Sequence, residues 1–375
     1  MRPLKRSLAT LLPALAGILL LSAAPAQAKD PGDSKSVTVM TWNLYFGFDE
    51  RPLFLATPDQ IPTEVSKAWA AVKKTDFRVR ARAIVKQIRS AEPDLIGLQE
   101  AVHYDLLEGD FLKLPPTVTG VAESIDFVDI LLDELHDARL SYEVASVNLD
   151  TDVTLPDAEG TAVRLLDRDV ILVRHDRPRG QPSLHVSHPQ AGTYAYLLPL
   201  CFIPGPDGCA LGIDVKRGWA SVDVRVADEK FRFVTTHLED ATPSDPPELQ
   251  GLQLAQAAEL AGLIGDSKMP VLLTGDFNSD GSATPPWPAY AFLTTDARLK
   301  DAWRIAHPKA PGLTWGQSPD LLNPFPSLTQ RIDFVFFRGS FRVLDADVVG
   351  DKRGDRASTG LWPSDHAGLV VTFVP

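Results

Sequence analysis

The chain has 375 residues, 44% of them hydrophobic and 23% charged, so it is long enough to bury a full core as one large domain or two small ones. Its 31 prolines and 25 glycines exclude a helical bundle. Setting aside residues 1–28, which hold three of the 37 Lys+Arg and none of the 49 Asp+Glu, leaves a net charge of 34 − 49 = −15, a surface that repels nucleic-acid backbone and anionic lipid at long range unless a bound cation reverses the field locally.

The chain opens with Arg2, Lys5 and Arg6, then an apolar run from Leu8 to Ala24, then Ala26-Gln27-Ala28. This order reads as a secretory leader, residues 1–28, cut after Ala28, with a single catalytic domain over 29–375 exported to the periplasm or outside the cell. A retained membrane anchor is the rival reading; Pro13 interrupts the apolar run and argues against it. No other stretch is long and apolar enough to span a bilayer.

Strands are expected at Val37–Trp42, Leu95–Leu98, Val170–Val173, Trp219–Val226, Phe231–Thr236, Val271–Thr274, Ile332–Phe337 and Leu369–Val374. Ala220, Val222, Val224 and Val226 alternate with polar residues, the period of a half-buried strand. Val271–Leu273 and Val335–Phe337 are continuously apolar, as in strands covered on both faces. Between them, Phe77, Ala81, Ile84, Val85 and Ile88 share one face of a helix that Pro93 ends, and Arg78, Arg80, Arg82 and Arg89 form the densest basic cluster on it, read as its solvated face or, in a nuclease, as a rim that contacts DNA. Further helices are expected at Phe127–Ala138 and Leu249–Ile264. Stretches 49–66, 101–124, 147–166, 178–217 and 280–328 read as irregular. Strands and helices alternate without a block boundary, which gives one mixed α/β domain. Cys201 and Cys209, flanking a Pro/Gly-rich loop, are expected to form a local disulfide in an oxidising compartment.

The informative polar residues sit at strand boundaries. Asn43 follows the first strand and Gln99-Glu100 the second. His237 follows Phe231–Thr236, and Gly275-Asp276-Phe277-Asn278 follows Val271–Thr274. Asp333 lies in Arg331-Ile332-Asp333, and Ser364-Asp365-His366 precedes the last strand. Each has an ordinary structural reading: a turn cap for Asn43, a helix start for Glu100, an Asx turn for Asp276 and Asn278, an ion pair for Asp333. Together they can share one sheet edge, and carboxylates gathered there tolerate one another best around a cation. Oxygen ligands without a thiolate suit Mg²⁺, Mn²⁺ or Ca²⁺ better than Zn²⁺. Asp276–Gly281 matches the first half of an EF-hand loop, but its twelfth position is Trp287 and a strand precedes it.

Thr41-Trp42-Asn43, Leu98-Gln99-Glu100, Thr236-His237-Leu238, Gly275–Asn278, Arg331–Asp333 and Ser364–His366 together resemble the endonuclease/exonuclease/phosphatase family. That family includes DNase I, exonuclease III-type repair nucleases, bacterial sphingomyelinases and inositol polyphosphate 5-phosphatases. The resemblance implies a four-layer α/β fold, two packed mixed β-sheets flanked by helices. It implies that Asn43, Glu100 and Asp365 serve a Mg²⁺ (or Mn²⁺ or Ca²⁺), and that His237, Asp276, Asn278, Asp333 and His366 do the chemistry. His237 matches the DNase I and sphingomyelinase branches and turns the reading away from abasic-site repair.

The expected activity is metal-dependent hydrolysis of a phosphate ester, with a cation to neutralise charge, a base for the water and an acid for the leaving oxygen. A nuclease is slightly favoured as the form this takes. The alternatives are a sphingomyelinase-like phospholipid phosphodiesterase, for which Trp287, Trp315, Phe325 and Trp362 would be membrane-facing candidates, a small-molecule phosphatase, and an inactive binding protein on the same scaffold. The sequence implies no protein partner.

Overall fold

The computed structural model describes residues 35–111, 117–178, 180–205 and 208–375; the expected leader, 1–28, lies outside them. Its strands are β1 Val37–Asn43, β2 Leu95–Gln99, β3 His103–Asp110, β4 Thr117–Asp126, β5 Tyr142–Pro156, β6 Ala162–Arg174, β7 Leu184–Thr193, β8 Leu198–Gly205, β9 Gly208–Val215, β10 Gly218–Val226, β11 Glu229–His237, β12 Val271–Asp276, β13 Lys300–Asp301, β14 Asp333–Arg338, β15 Arg342–Val349 and β16 Gly368–Val374. The helices are α1 Arg51–Phe54, α2 Ile61–Lys74, α3 Phe77–Ala91, α4 Phe127–Asp137, α5 Pro247–Asp266, α6 Pro288–Thr295 and α7 Ala302–Ala306. No helix among the described residues is long and apolar enough to cross a membrane.

Two mixed sheets form. The first has the order β15-β16-β1-β2-β6-β3-β4 with β5 also paired to β6, the second β13-β14-β12-β11-β10-β7, and β8-β9 is a separate hairpin. Alternation in the sequence decides the layers. Val37, Val39, Ile171, Val173, Ala220, Val222 and Val224 turn inward and fill the space between the sheets. The opposite faces of β1 and β6, with Met40, Val170 and Leu172, pack against α2, α3 and α4. On the far side, Val234, Leu273 and Phe336 pack against α5 and α6. The result is the expected helix–sheet–sheet–helix sandwich. α3 is started by Asp76, whose carboxylate accepts from Val79 N. Its apolar face is anchored by Phe77 stacked on Phe127 of α4, centroids 3.8 Å apart; burying each such ring contributes roughly 1.5–3 kcal/mol.

Most of the stretches that read as irregular are regular. Residues 101–124 carry β3 and most of β4, 147–166 the end of β5 and start of β6, 178–217 the strands β7 to β9, and 49–66 α1 and the start of α2. β4 and β7 are edge strands exposed along most of their length, so they lack the apolar alternation that marks a strand in sequence. Only 280–328 remains largely loop, interrupted by α6, β13 and α7. Cys201 and Cys209 are bonded across the β8–β9 hairpin, Cα atoms 5.7 Å apart.

Candidate active site

The functional side chains converge because the strands that carry them end together. β1 and β2 run parallel with Asn43 beside Gln99, which delivers Glu100 next to Asn43. β11 and β12 run parallel with His237 beside Asp276. β14 is antiparallel to β12 and starts with Asp333 opposite Asp276. β16 is antiparallel to β1, so the Ser364–His366 segment that leads into it returns to the same edge. The two sheets approach closely beneath this edge, where Gly97 leaves no room for a side chain: a Cβ there would lie 2.4 and 2.5 Å from Thr235 and Thr274 Oγ1. Gln99 Nε2 bridges the sheets to Thr235 Oγ1 at 2.8 Å.

Glu100, His237, Asp276, Asn278, Asp365 and His366 line one cleft of about 630 Å³. Asn43 and Asp333 are fully buried behind it. Asn43 Nδ2 donates to Glu100 Oε1 at 2.8 Å and to Asp276 Oδ2 at 3.0 Å. Phe46 N donates to Glu100 Oε2 at 2.6 Å, and Tyr45 N to Asn43 Oδ1 at 2.9 Å. Asn278 N donates to Asp276 Oδ1 at 2.9 Å. Asp276 Oδ2 also lies 3.6 Å from His237 Nε2 and 3.7 Å from His366 Nε2. His366 Nδ1 is bonded to Asp333 Oδ2 at 2.9 Å. Asp365 Oδ2 accepts from Trp315 Nε1 at 3.1 Å. Tyr45, Glu100 and Asn278 hold left-handed φ values of 64°, 50° and 47°. Such backbone persists in non-glycine residues where the surroundings over-determine it, as at sites that fix reacting groups. Gly275 has φ +151°, and a Cβ on it would meet Thr236 O at 2.1 Å, so the turn into Asp276 requires glycine.

The cleft holds more negative charge than its fixed cations balance. Burial, then Asp365, Asp167 and Glu50, raise the Glu100 carboxyl well above its ordinary range. Burial and the neighbouring Asp333 push Asp276 up to about 7, and burial raises Asp365. Glu50 at the rim is pushed up to about 7 by burial, then by Asp240 and Asp365. The two histidines go opposite ways. Burial, Arg217 and His366 depress His237. Burial opposes the charge on His366, yet Asp333, Asp365 and Asp276 together raise it well above the usual imidazole value.

A divalent cation fits this arrangement. Glu100 and Asp365 face the cleft as oxygen donors in a carboxylate-rich pocket, and Mg²⁺ is commonly held by one or two carboxylates plus substrate oxygens and water. Asn43 contributes indirectly, since both protons of its amide are taken up by Glu100 and Asp276. Asp276, Asp333 and His366 bring ligand-type atoms within 4.8 Å of one another. His366 Nδ1 and Asp333 Oδ2 are already bonded to each other, which leaves this trio fewer open atoms for a metal than Glu100 and Asp365 have beside it.

A four-layer α/β sandwich with acidic and imidazole side chains gathered at one end of its central strands defines a hydrolase of phosphoester bonds. Residues 40–366 match the model of the endonuclease/exonuclease/phosphatase family, and the chain belongs to that family. Its members are phosphoester hydrolases that typically depend on a divalent metal. A family protein from Bacteroides thetaiotaomicron aligns over 90% of this chain and 97% of its own, with 16% identity and a TM-score of 0.51. A mannosyl-6-phosphatase of the same species aligns over 90% and 100%, with 16% identity and a TM-score of 0.52. A family protein from Leptotrichia buccalis aligns over 90% and 99%, with 13% identity and a TM-score of 0.52. These likenesses concern the fold. No curated protein matches the chain in sequence.

Several cleft residues escaped sequence reasoning. Arg217, at the end of a stretch read as irregular, lines the cleft and reaches His237 Nδ1 at 3.0 Å. Its signal was available: a hairpin closing at Val226 and Glu229 brings Gly218 opposite His237. Trp315, Glu50 and Asp240 line the cleft from loops with no distinguishing pattern. Arg80 is a correction. It is not on a solvated basic face but fully buried, donating to Leu44 O at 2.6 Å, Pro363 O at 3.1 Å, Tyr45 O at 3.2 Å and Thr75 O at 3.0 Å. It thereby ties the loop after Asn43 to the loop before Asp365. Of the aromatic candidates, Trp362 is fully buried, Trp315 faces the cleft, and Phe325 is 65% exposed.

Proposed function

We propose that the protein is a divalent-metal-dependent phosphoesterase whose substrate is a small phosphate ester of a polar alcohol, rather than a nucleic acid. The observation that carries this reading is the charge of the cleft wall. Asp49, Glu50 and Asp240 stand on it, and Arg51 and Arg217 are the basic residues besides the histidines among the described residues lining it. A nucleic-acid track needs a row of cations for successive phosphates. The arginines that might have supplied one are engaged elsewhere. Arg78 and Arg82 pair with Glu134 at 3.2 and 3.1 Å, and Arg89 bonds the Ala138 carbonyl. Thr242, Gln317, Ser318 and Asn323 make the rest of that wall polar without adding a cation.

A divalent cation held by Glu100 and Asp365 would neutralise charge on the phosphoryl oxygens. Asp276, oriented by Asn43 and by the Asn278 backbone N–H, accepts the proton of the attacking water, and its raised pKa suits a base near neutral pH. His366, turned and kept protonated by Asp333, gives a proton to the departing oxygen. Exported location remains part of the proposal, supported by the leader-like N-terminus and the disulfide.

The deciding experiment assays purified protein with Mg²⁺ or Mn²⁺, and with chelator, against sugar phosphates, p-nitrophenyl phosphate, its bis ester, sphingomyelin vesicles, plasmid DNA and RNA. Metal-dependent release from the small esters, with little cleavage of nucleic acid, is expected. Efficient cleavage of DNA or RNA that weakens steeply with salt would restore the nuclease reading.

A further inference from the structure

We propose that Arg217 is a positioning residue that locks His237 as a neutral imidazole carrying its proton on Nε2, aimed into the cleft as a donor to a phosphoryl oxygen. The proposal deepens the phosphoesterase reading above and rests on it for the role of the donor.

Arg217 is held in place from both ends. Its carbonyl accepts from Tyr194 N at 2.9 Å, and Gly218 pairs with His237 in the β10–β11 ladder. Nη1 sits 3.0 Å from His237 Nδ1 and 3.4 Å from Asp167 Oδ2, and Nη2 lies 3.7 Å from Glu239 Oε1. Arg217 is itself buried, and although burial opposes its charge, Glu239, Asp167 and Asp150 more than offset that and keep it protonated.

A guanidinium offers only N–H donors. His237 Nδ1 must therefore present its lone pair to Arg217, which leaves Nε2 to carry the ring proton. Asn278 Nδ2 stands 3.1 Å from Nε2 and competes for the opposite tautomer. Charge-assisted hydrogen bonds are about twice as strong as neutral ones, so Arg217 prevails. Asn278 retains its bond to the Leu238 carbonyl at 3.0 Å. The acceptor nearest the Nε2 proton is Asp276 Oδ2, at 3.6 Å, which is too long for a hydrogen bond. The Asn278 amide faces that proton as a second donor, so a substrate oxygen set against both would accept from both. A second ring proton would put an N–H against the Arg217 guanidinium, so His237 stays neutral. It cannot then be the acid that protonates the leaving oxygen, and that step falls to His366.

The test uses the full chain labelled with ¹⁵N-histidine, wild type and the Arg217→Met and Arg217→Lys variants. Imidazole ¹⁵N shifts report the protonation of each ring nitrogen, and pH–rate profiles are recorded on a small phosphate ester. In wild type, His237 should show a bare Nδ1 and a protonated Nε2 at every pH at which the protein is folded. R217M should mix the tautomers and raise the pH at which the ring takes up a second proton, while burial still holds it below the ordinary imidazole range. Its kcat should fall by roughly 10- to 100-fold with little change in KM, the scale of losing one aligned donor. R217K, which keeps the charge, should recover part of both. An Nδ1-bound proton or an imidazolium at neutral pH in wild type overturns the proposal, as does an R217M variant with an unchanged tautomer and pH profile. If R217M does not fold, the wild-type spectrum and R217K decide. The tautomer is read without turnover. A protein inactive on every ester but with the stated His237 spectrum would therefore sink the phosphoesterase reading and leave the lock standing.

Discussion

Asp333→Asn is the most informative single change to the proposed acid. Asp333 is fully buried, and its Oδ2 holds His366 Nδ1 at 2.9 Å while Oδ1 has no partner. Asparagine preserves the shape and can still accept through its own oxygen, so the fold should persist. The charge is lost, however, and a hydrogen bond to a charged group is worth about 1.5–3 kcal/mol. If that energy is expressed where His366 gives up its proton, kcat should fall roughly 10- to 150-fold, since about 1.4 kcal/mol is a factor of ten. The pH profile supplies an independent reading. The Asp333 charge raises both Asp276 and His366, so removing it makes the proton on each easier to lose. Both limbs should therefore move to lower pH, the acid-side limb through Asp276 and the alkaline limb through His366. Steady-state kinetics across pH on a small ester, with thermal unfolding as the control for folding, measure both. A variant that turns over as fast as wild type, with an unmoved alkaline limb, would refute the assignment of His366 and Asp333.

Glu100→Gln keeps an oxygen for Asn43 but removes the carboxylate charge, so Mn²⁺ should no longer raise the melting temperature and turnover should collapse; calorimetric Mn²⁺ titration of chelator-treated protein checks it, and undiminished activity would exclude Glu100. The metal-free protein should lose stability as pH rises. Glu50 and Asp276 have folded-state pKa values raised to about 7, so their protonated forms favour the fold at low pH and that contribution disappears as pH climbs through about 7. Urea unfolding in chelator at several pH values should show this slope, and Mg²⁺ should flatten it by neutralising the same carboxylates; a flat profile in chelator counts against an over-charged cleft. Arg80→Met strands four carbonyl acceptors in the interior, and equilibrium unfolding should register a loss of at least about 1–3 kcal/mol, the cost of one buried acceptor left without a partner.

The central strands were legible because they are buried on one or both faces: the alternation of Ala220 to Val226 and the apolar runs at Val271–Leu273 and Val335–Phe337 are direct imprints of the layers they fill. The peripheral strands were not. β4 and β7 have mostly exposed side chains, and their stability comes from backbone pairing to β3 and β10, which any sequence can supply. The site followed the same division. Asn43, Glu100, His237, Asp276 and Asp333 adjoin central strands, so reading the strands located them. Arg80 was misread because its charge outweighed its helical position. It sits one residue before Ala81 on the buried face, and its guanidinium is neutralised by backbone carbonyls that no local pattern announces.

Two histidines in one cleft, with Nε2 atoms 3.6 and 3.7 Å from the same Asp276 oxygen, end up with opposite tendencies. The difference lies in what stands behind each ring: Asp333 behind His366, Arg217 behind His237. Both supports come from the second sheet, one as the first residue of β14 and the other immediately before β10. β11 and β12 lie between those two strands, and they deliver His237 and Asp276. The strand order of that sheet therefore sets which imidazole is backed by a carboxylate and which by a guanidinium. Exchanging the residues at positions 217 and 333 in charge should exchange the roles of the rings, whereas changes in the loops that line the cleft should alter substrate preference and leave the two protonation states as they are.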